Sequence, residues 1–178
     1  ISDMEKLIQK AIKKGFTHYS VTEHAPLPEG FKKTCSGPQY PIDTGGMLEN
    51  DFEHYLNKVQ KLKKKYSSDI NIYTGVELDY LVGFENWTRD FLDEYGPYLD
   101  DNILSVHFLN GKGGLRAIDY TSADFDEGLL RYYGNFQNVQ SEYLRVIRES
   151  LTVDLGIFKP RRIGHISLVR KFLQAFPG

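Results

Sequence analysis

Two hydrophobic periods alternate along this chain, and that alternation constrains its fold more than any other feature. Met4, Leu7, Ile8, Ala11 and Ile12 recur at the spacing of one helix face. Ser2 and Glu5 form a capping box ahead of them, and Lys13-Lys14-Gly15 form a stop. A β-rich run over residues 16–23 follows. The order then repeats: a loop rich in Gly, Pro and Thr over 25–47, a helix with Phe52, Tyr55, Leu56, Val59 and Leu62 on one face, and a second β-rich run over 70–78. A helix over 86–95 closes at Gly96-Pro97, and a third strand is predicted over 102–109. Gly111-Lys112-Gly113-Gly114 reads as a turn that lets residues 115–120 pair back. A long helical region over 123–155, a short strand over 161–165 and a last helix over 167–176 complete the series. Alternating helices and strands predict parallel βαβ units, an α/β fold. Four parallel strands alone leave open edges, which a (β/α) barrel would close.

Composition removes several function classes. The chain has 178 residues, enough for one domain, and 12 Tyr and 11 Phe can fill its core. A formal charge of −2 carries no basic excess for nucleic acid. The cluster Lys58, Lys61, Lys63, Lys64 and Lys65 falls at a predicted helix end, where cations suit the helix dipole. No apolar stretch approaches the roughly 20 residues needed to cross a membrane. The lone Cys35 excludes an internal disulfide and fits a reducing cytoplasm. The opening Ile1-Ser2-Asp3-Met4-Glu5 resembles neither a signal peptide nor an initiator and reads like the middle of a longer protein. Oligomeric state leaves no mark in the sequence.

The rare residues fall in a pattern. His24 follows the first predicted strand, Glu77 lies near the end of the second, His107 near the end of the third, and His165 ends the fourth. Each strand thus delivers an imidazole or a carboxylate at its C-terminal end, the end that carries the active site in parallel α/β barrels. Imidazoles with a carboxylate suit zinc, iron or manganese, and one carboxylate can bridge two ions at the separation phosphoryl chemistry uses. His18 precedes His24 by six residues, roughly 20 Å along a strand, so it is expected to be structural. His54 lies off the apolar face of its helix and is expected in solvent. Arg116, Arg161 and Arg162 are candidates to bind a phosphate with paired guanidinium donors.

These residues sit in recognisable surroundings. Glu23-His24-Ala25-Pro26, Gly75-Val76-Glu77-Leu78-Asp79-Tyr80, Ser105-Val106-His107-Phe108-Leu109 and Lys159-Pro160-Arg161-Arg162-Ile163-Gly164-His165-Ile166-Ser167 resemble the motif series of PHP-type (polymerase and histidinol phosphatase) histidinol-phosphate phosphatases. Trp87-Thr88-Arg89-Asp90-Phe91-Leu92 and Glu94-Tyr95-Gly96-Pro97 are similar to that family's segment between two site strands. The resemblance implies a distorted (β/α)7 barrel with up to three divalent metals, present here as an incomplete barrel in a single domain. It implies hydrolysis of L-histidinol phosphate to L-histidinol and phosphate in histidine biosynthesis, with a metal-bound hydroxide as nucleophile. Carried over, His24, Glu77, His107 and His165 would be ligands, Glu77 bridging two metals and acting with His107 in catalysis. The family's opening His-x-His and closing Asp-x-His are absent, which implies truncation at both ends, with the general acid in the missing C-terminal motif. Competing readings are a PHP-type phosphoesterase of other specificity, another metallohydrolase, and a metal-less, non-catalytic domain. Substrate choice is expected to rest on the 25–47 loop and the segment over 111–120.

Overall fold

The computed structural model describes residues 3–176. Its first βαβ unit forms for the reasons the periodicity suggests. Helix α1 (Met4–Lys13) buries Met4, Ile8 and Ala11, with Lys10 and Lys13 in its last turn. Leu7, predicted on the same face, is largely exposed. Asp3 occupies the N-cap without a side-chain hydrogen bond, and Ser2 lies outside the described residues. Glu5, predicted to complete the capping box, instead accepts from Lys65 Nζ and Tyr66 Oη. Strand β1 runs over His18–His24 rather than from residue 16, because Phe16 is outside the core.

The 25–47 loop contains two short helices, α2 (Phe31–Thr34) and α3 (Gln39–Thr44). Helix α4 (Phe52–Lys65) buries Phe52, Tyr55, Val59 and Leu62. The Tyr55 hydroxyl donates to the Gly75 carbonyl at 2.5 Å, which ties α4 to strand β2 (Asn71–Asp79) beneath it. Gly75 is required there: a Cβ would lie 1.7 Å from the main-chain oxygen of Asp101. Helix α5 (Glu85–Tyr95) leads into strand β3 (Ile103–Ser105).

The predicted third strand divides in two. After β3 the chain leaves the sheet, and strand β4 (Phe108–Gly111) turns into β5 (Gly114–Ala117) as an antiparallel hairpin. His107 occupies the break, its carbonyl accepting from Ile118 N. The long helical region also divides. Helix α6 (Ser122–Phe125), a π turn (Asp126–Leu130) and α7 (Arg131–Tyr133) end at Gly134, which has φ 87°. Asn135 then caps α8 (Phe136–Thr152) by accepting from Asn138 N. Strand β6 is only Arg162–Ile163, and the predicted last helix is a pair of 3-10 turns, Leu168–Arg170 and Leu173–Ala175. That segment seats Phe172 and Phe176 against the Phe125 ring instead of extending as a helix.

Among the described residues, one parallel sheet in the order β1-β2-β3-β6 and the separate β4-β5 hairpin make up the strands. The sheet is open, with β1 and β6 at its edges, so the barrel is incomplete. The main core lies between the sheet and α1, α4, α5 and α8, while a smaller core of Phe31, Ile42, Leu81, Phe108, Leu115 and Ala117 sits under the hairpin. No helix of the described residues is long and apolar enough to cross a membrane.

Candidate metal centre

Parallel pairing with His24 opposite Glu77, and Asp79 opposite Ser105, brings the ends of β1, β2 and β3 together. Side chains alternate along a strand, so Glu77 and Asp79 point to one face. His24, Glu77 and His107 offer ligand atoms that all lie within 4.8 Å of one another. His165 joins them from just beyond β6: its Nε2 lies 2.9 Å from Glu77 Oε1 and 3.1 Å from His107 Nε2. The four residues singled out in the sequence therefore converge. His165 reaches the centre because Gly164 N donates to Leu104 O, and because a Cβ on Gly164 would stand 2.2 Å from Ser105 Oγ.

Two further residues orient this cluster. His107 Nδ1 lies 2.6 Å from Asp79 Oδ1, and Asp79 is nearly inaccessible. An Nδ1–H donated there leaves Nε2 as the nitrogen that faces Glu77, 3.5 Å away. Ser105 donates to Glu77 Oε1 at 2.7 Å. Both residues stand inside quoted motifs without an assigned role. The legible signal for Asp79 was its spacing of two from Glu77, which on a strand means one face.

Burial alone would raise the Glu77 carboxyl. The Ser105 and His165 hydrogen bonds and the nearby His24 and His107 outweigh it and hold the pKa below its ordinary value. Burial opposes charge on His107, but the Asp79 hydrogen bond and the charges of Asp79, Glu77 and Asp119 carry its pKa above the ordinary histidine value. His24 Nδ1 is buried without a hydrogen-bond partner and lies 3.9 Å from Asp79 Oδ2. A buried ring nitrogen without a partner, set among two imidazoles and two carboxylates, fits a divalent cation.

A cavity of about 210 Å³ opens over the cluster, lined by His24, Asp79 and His107 and by two outer segments. Tyr40, Pro41, Thr44 and Gly45 come from the 25–47 loop, and Phe108, Ala117, Asp119 and Tyr120 from the hairpin and its exit. These are the two segments expected to shape substrate choice.

The arginines expected at the phosphate lie elsewhere. Arg116 is buried and paired with Asp124, on the face of β5 opposite Ala117, which lines the cavity. Arg162 binds Asp101 at 2.7 Å, and Asp101 also accepts from Ser20, four residues and about 13 Å before His24 along β1. Arg161 is exposed beside Lys159 and Pro160. Strand register and facing decide which groove each one enters, and residue type alone does not show that. His18 stacks on Tyr73 at the start of β1, and His54 is exposed, as expected. Burial pushes the Cys35 thiol up to about 11, which removes it as a nucleophile at neutral pH.

The family model of the PHP domain matches residues 1–175. Over 174 residues the chain is 41% identical to the histidinol-phosphatase of Bacillus subtilis, covering 98% of this chain and 63% of that protein. A solved Listeria monocytogenes protein, described as a candidate histidinol phosphatase, matches with TM-score 0.96 and 48% identity over 97% of this chain and 64% of that one. The histidinol phosphate phosphatase of Lactococcus lactis, solved with zinc, L-histidinol and phosphate, shares the fold at TM-score 0.66 and 18% identity, over 94% of this chain and 53% of that one. The chain thus spans just under two thirds of the length of its first relatives. Matched by the family model over nearly its whole length, the chain belongs to the PHP domain family.

Proposed function

We propose that this chain is one PHP-type unit of a cytoplasmic, metal-dependent phosphomonoesterase that hydrolyses L-histidinol phosphate to L-histidinol and phosphate in histidine biosynthesis. The observation that carries this is the convergence of His24, Glu77, His107 and His165, with the partnerless Nδ1 of His24 beside Asp79 at its edge. Likeness to a histidinol-phosphatase at 41% identity supports the substrate.

His24, Glu77, His107 and His165 would be among the ligands of up to three divalent ions, zinc, iron or manganese, in the whole protein, with Glu77 bridging two. When bound, such ions supply charge to neutralise the phosphoryl oxygens and lower the pKa of the attacking water. The protein's own contribution is preorganisation. Asp79 fixes the His107 ring, and Ser105 fixes Glu77 Oε1, so neither ligand reorients during turnover. Glu77 stays ionised at neutral pH, since its neighbours hold its pKa low.

The test uses the full-length gene product, analysed for metal by elemental analysis and assayed for phosphate release from L-histidinol phosphate. Two to three metals per chain, with both metal and activity lost in Glu77→Ala and His107→Ala, are expected. A folded protein that stays metal-free and inactive after supplementation with zinc, iron and manganese would overturn the proposal in favour of a non-catalytic domain. Turnover of other phosphomonoesters alone would leave the metal chemistry and remove the substrate.

A further inference from the structure

The ligand cluster draws on four strands, and one residue gathers those strands behind it. The Asp101 carboxylate accepts from Ser20 on β1 and from Arg162 Nη2 on β6, the latter at 2.7 Å. Its amide donates to the Thr74 carbonyl on β2 at 3.2 Å, and its carbonyl occupies the space that Gly75 leaves free. Asp101 itself stands two residues before β3. Each contact lies a few residues upstream of a cluster residue: Ser20 four before His24, Thr74 three before Glu77, and Arg162 three before His165.

The contact to β6 matters most, because β6 is so short. Only Ile103 opposite Arg162 and Leu104 opposite Ile163 pair it with β3. Two such rungs specify register weakly. A slip of one residue would move His165 by about 3.3 Å, more than its 2.9 Å separation from Glu77 Oε1, and would turn the side chains of β6 to the other face. Just upstream, Lys159 Nζ donates to Leu151 O at 2.8 Å and to Val153 O at 2.6 Å. Those acceptors belong to the end of α8, outside the sheet, and set no register within it. Among the described residues, Arg162–Asp101 is the side-chain ion pair that ties β6 to the rest of the sheet. The arginine is half-exposed, so the pair adds little to global stability.

Resting on the metal-centre reading, we infer that Asp101 and Arg162 are positioning residues, which pin β6 in the register that delivers His165 to the ligand cluster. The Lys-Pro-Arg-Arg run thereby serves the centre from a distance, through strand register rather than by touching a phosphate.

The experiment measures zinc affinity of the full-length gene product by competition with a chelator, and amide hydrogen exchange of its metal-free form. Arg162→Met should weaken zinc binding about fivefold, the upper end of what a half-exposed pair can transmit. Arg162→Lys should stay within twofold, because a single donor contacts Asp101 and an ammonium can replace it. In a His165→Ala background, Arg162→Met should cost less than a further twofold, since its effect runs through His165. In the metal-free protein, Arg162→Met should speed exchange of the Gly164 amide, which donates to Leu104 O, about fivefold, while the Ala25 amide, which donates to Glu77 O, stays within twofold. Zinc affinity within twofold of wild type in Arg162→Met, an undiminished loss in the His165→Ala background, or equal acceleration of both amides would each overturn the inference. A wild-type protein that binds no zinc would instead overturn the metal-centre reading, and selective loss of Gly164 protection in Arg162→Met would still leave the register role standing.

Discussion

Replacing Asp79 by Asn isolates the electrostatic part of the site. The side chain is buried, so the near-isosteric amide keeps the packing, and its oxygen can still accept from His107 Nδ1 at the same 2.6 Å position. What disappears is the charge. A hydrogen bond to an ionised partner contributes about 1.5–3 kcal/mol, against about 1 kcal/mol for a neutral one. The loss is therefore about 1–2 kcal/mol in the basicity and orientation of the His107 Nε2 donor, or about tenfold in metal affinity, within the range for residues that orient ligating histidines. Asp79→Ala, which removes the acceptor as well, should cost about a hundredfold. The assay is competition for zinc against a chromophoric chelator, starting from EDTA-stripped protein, with thermal unfolding of the stripped form as a control for folding. Asp79 is the chief influence raising the His107 pKa against burial, so in the stripped variant the imidazole should titrate lower, which nitrogen-detected NMR would follow. Zinc affinity within twofold of wild type in a folded Asp79→Asn protein would refute the reasoning.

Three further outcomes follow from the packing. Gly75→Ala places a Cβ 1.7 Å from the Asp101 carbonyl and must push β2 away from the turn that Asp100 N and Asp101 N anchor on Thr74 O, so urea unfolding should show a loss of about 3 kcal/mol or more; a change under 1 kcal/mol would contradict the contact. Arg116→Met leaves the Asp124 carboxylate buried and unpaired, at a cost of about 3–5 kcal/mol, whereas the double variant with Asp124→Leu should recover most of it; an unaffected single variant would mean that the ion pair is not formed. Asp100 is held below the ordinary carboxylate value, since the Lys63 ammonium and the Thr74 amide outweigh its partial burial. Its contribution is present above the unfolded pKa and is lost as pH falls through the folded one, so Asp100→Asn should flatten the acid limb of stability against pH, by under 1 kcal/mol at so exposed a pair. An unchanged acid limb would count against that pairing.

The convergence of His24, Glu77, His107 and His165 was legible because imidazoles at strand ends are rare and because the alternation of hydrophobic periods marks where the strands end. Asp79 was hidden by its neighbour: only knowing that β2 is still extended at residue 79 puts it on the face of Glu77. The arginines went astray for the opposite reason. Their chemistry was plain, but Arg116 stands on the face of β5 away from Ala117, and a hairpin of four-residue strands gives no period strong enough to show that. The helix over 123–155 was read through a break that Gly134-Asn135 marks, a left-handed stop followed by an N-cap. The split of the third strand has no signal within the run itself, since Val106 and Phe108 are apolar on either side of His107. It is set by Ile118 N reaching back to the His107 carbonyl, the rung that continues the β4-β5 hairpin past Phe108 and Ala117.

His165 meets the centre from outside any regular element, held by one main-chain hydrogen bond from Gly164 and by Tyr143 Oη, 3.3 Å from the His165 carbonyl. Bringing it to Glu77 closes a loop of 88 residues, longer than the 58 between His107 and His165, so this contact carries a large loop-closure entropy and should form late in folding. Metal affinity then becomes a reporter of folding completeness. If the proposed ligation holds, an ion shared by His24 and His165 would bind only the fully closed chain, and at a hundred times its dissociation constant it would add about 2.7 kcal/mol to global stability rather than to any local segment.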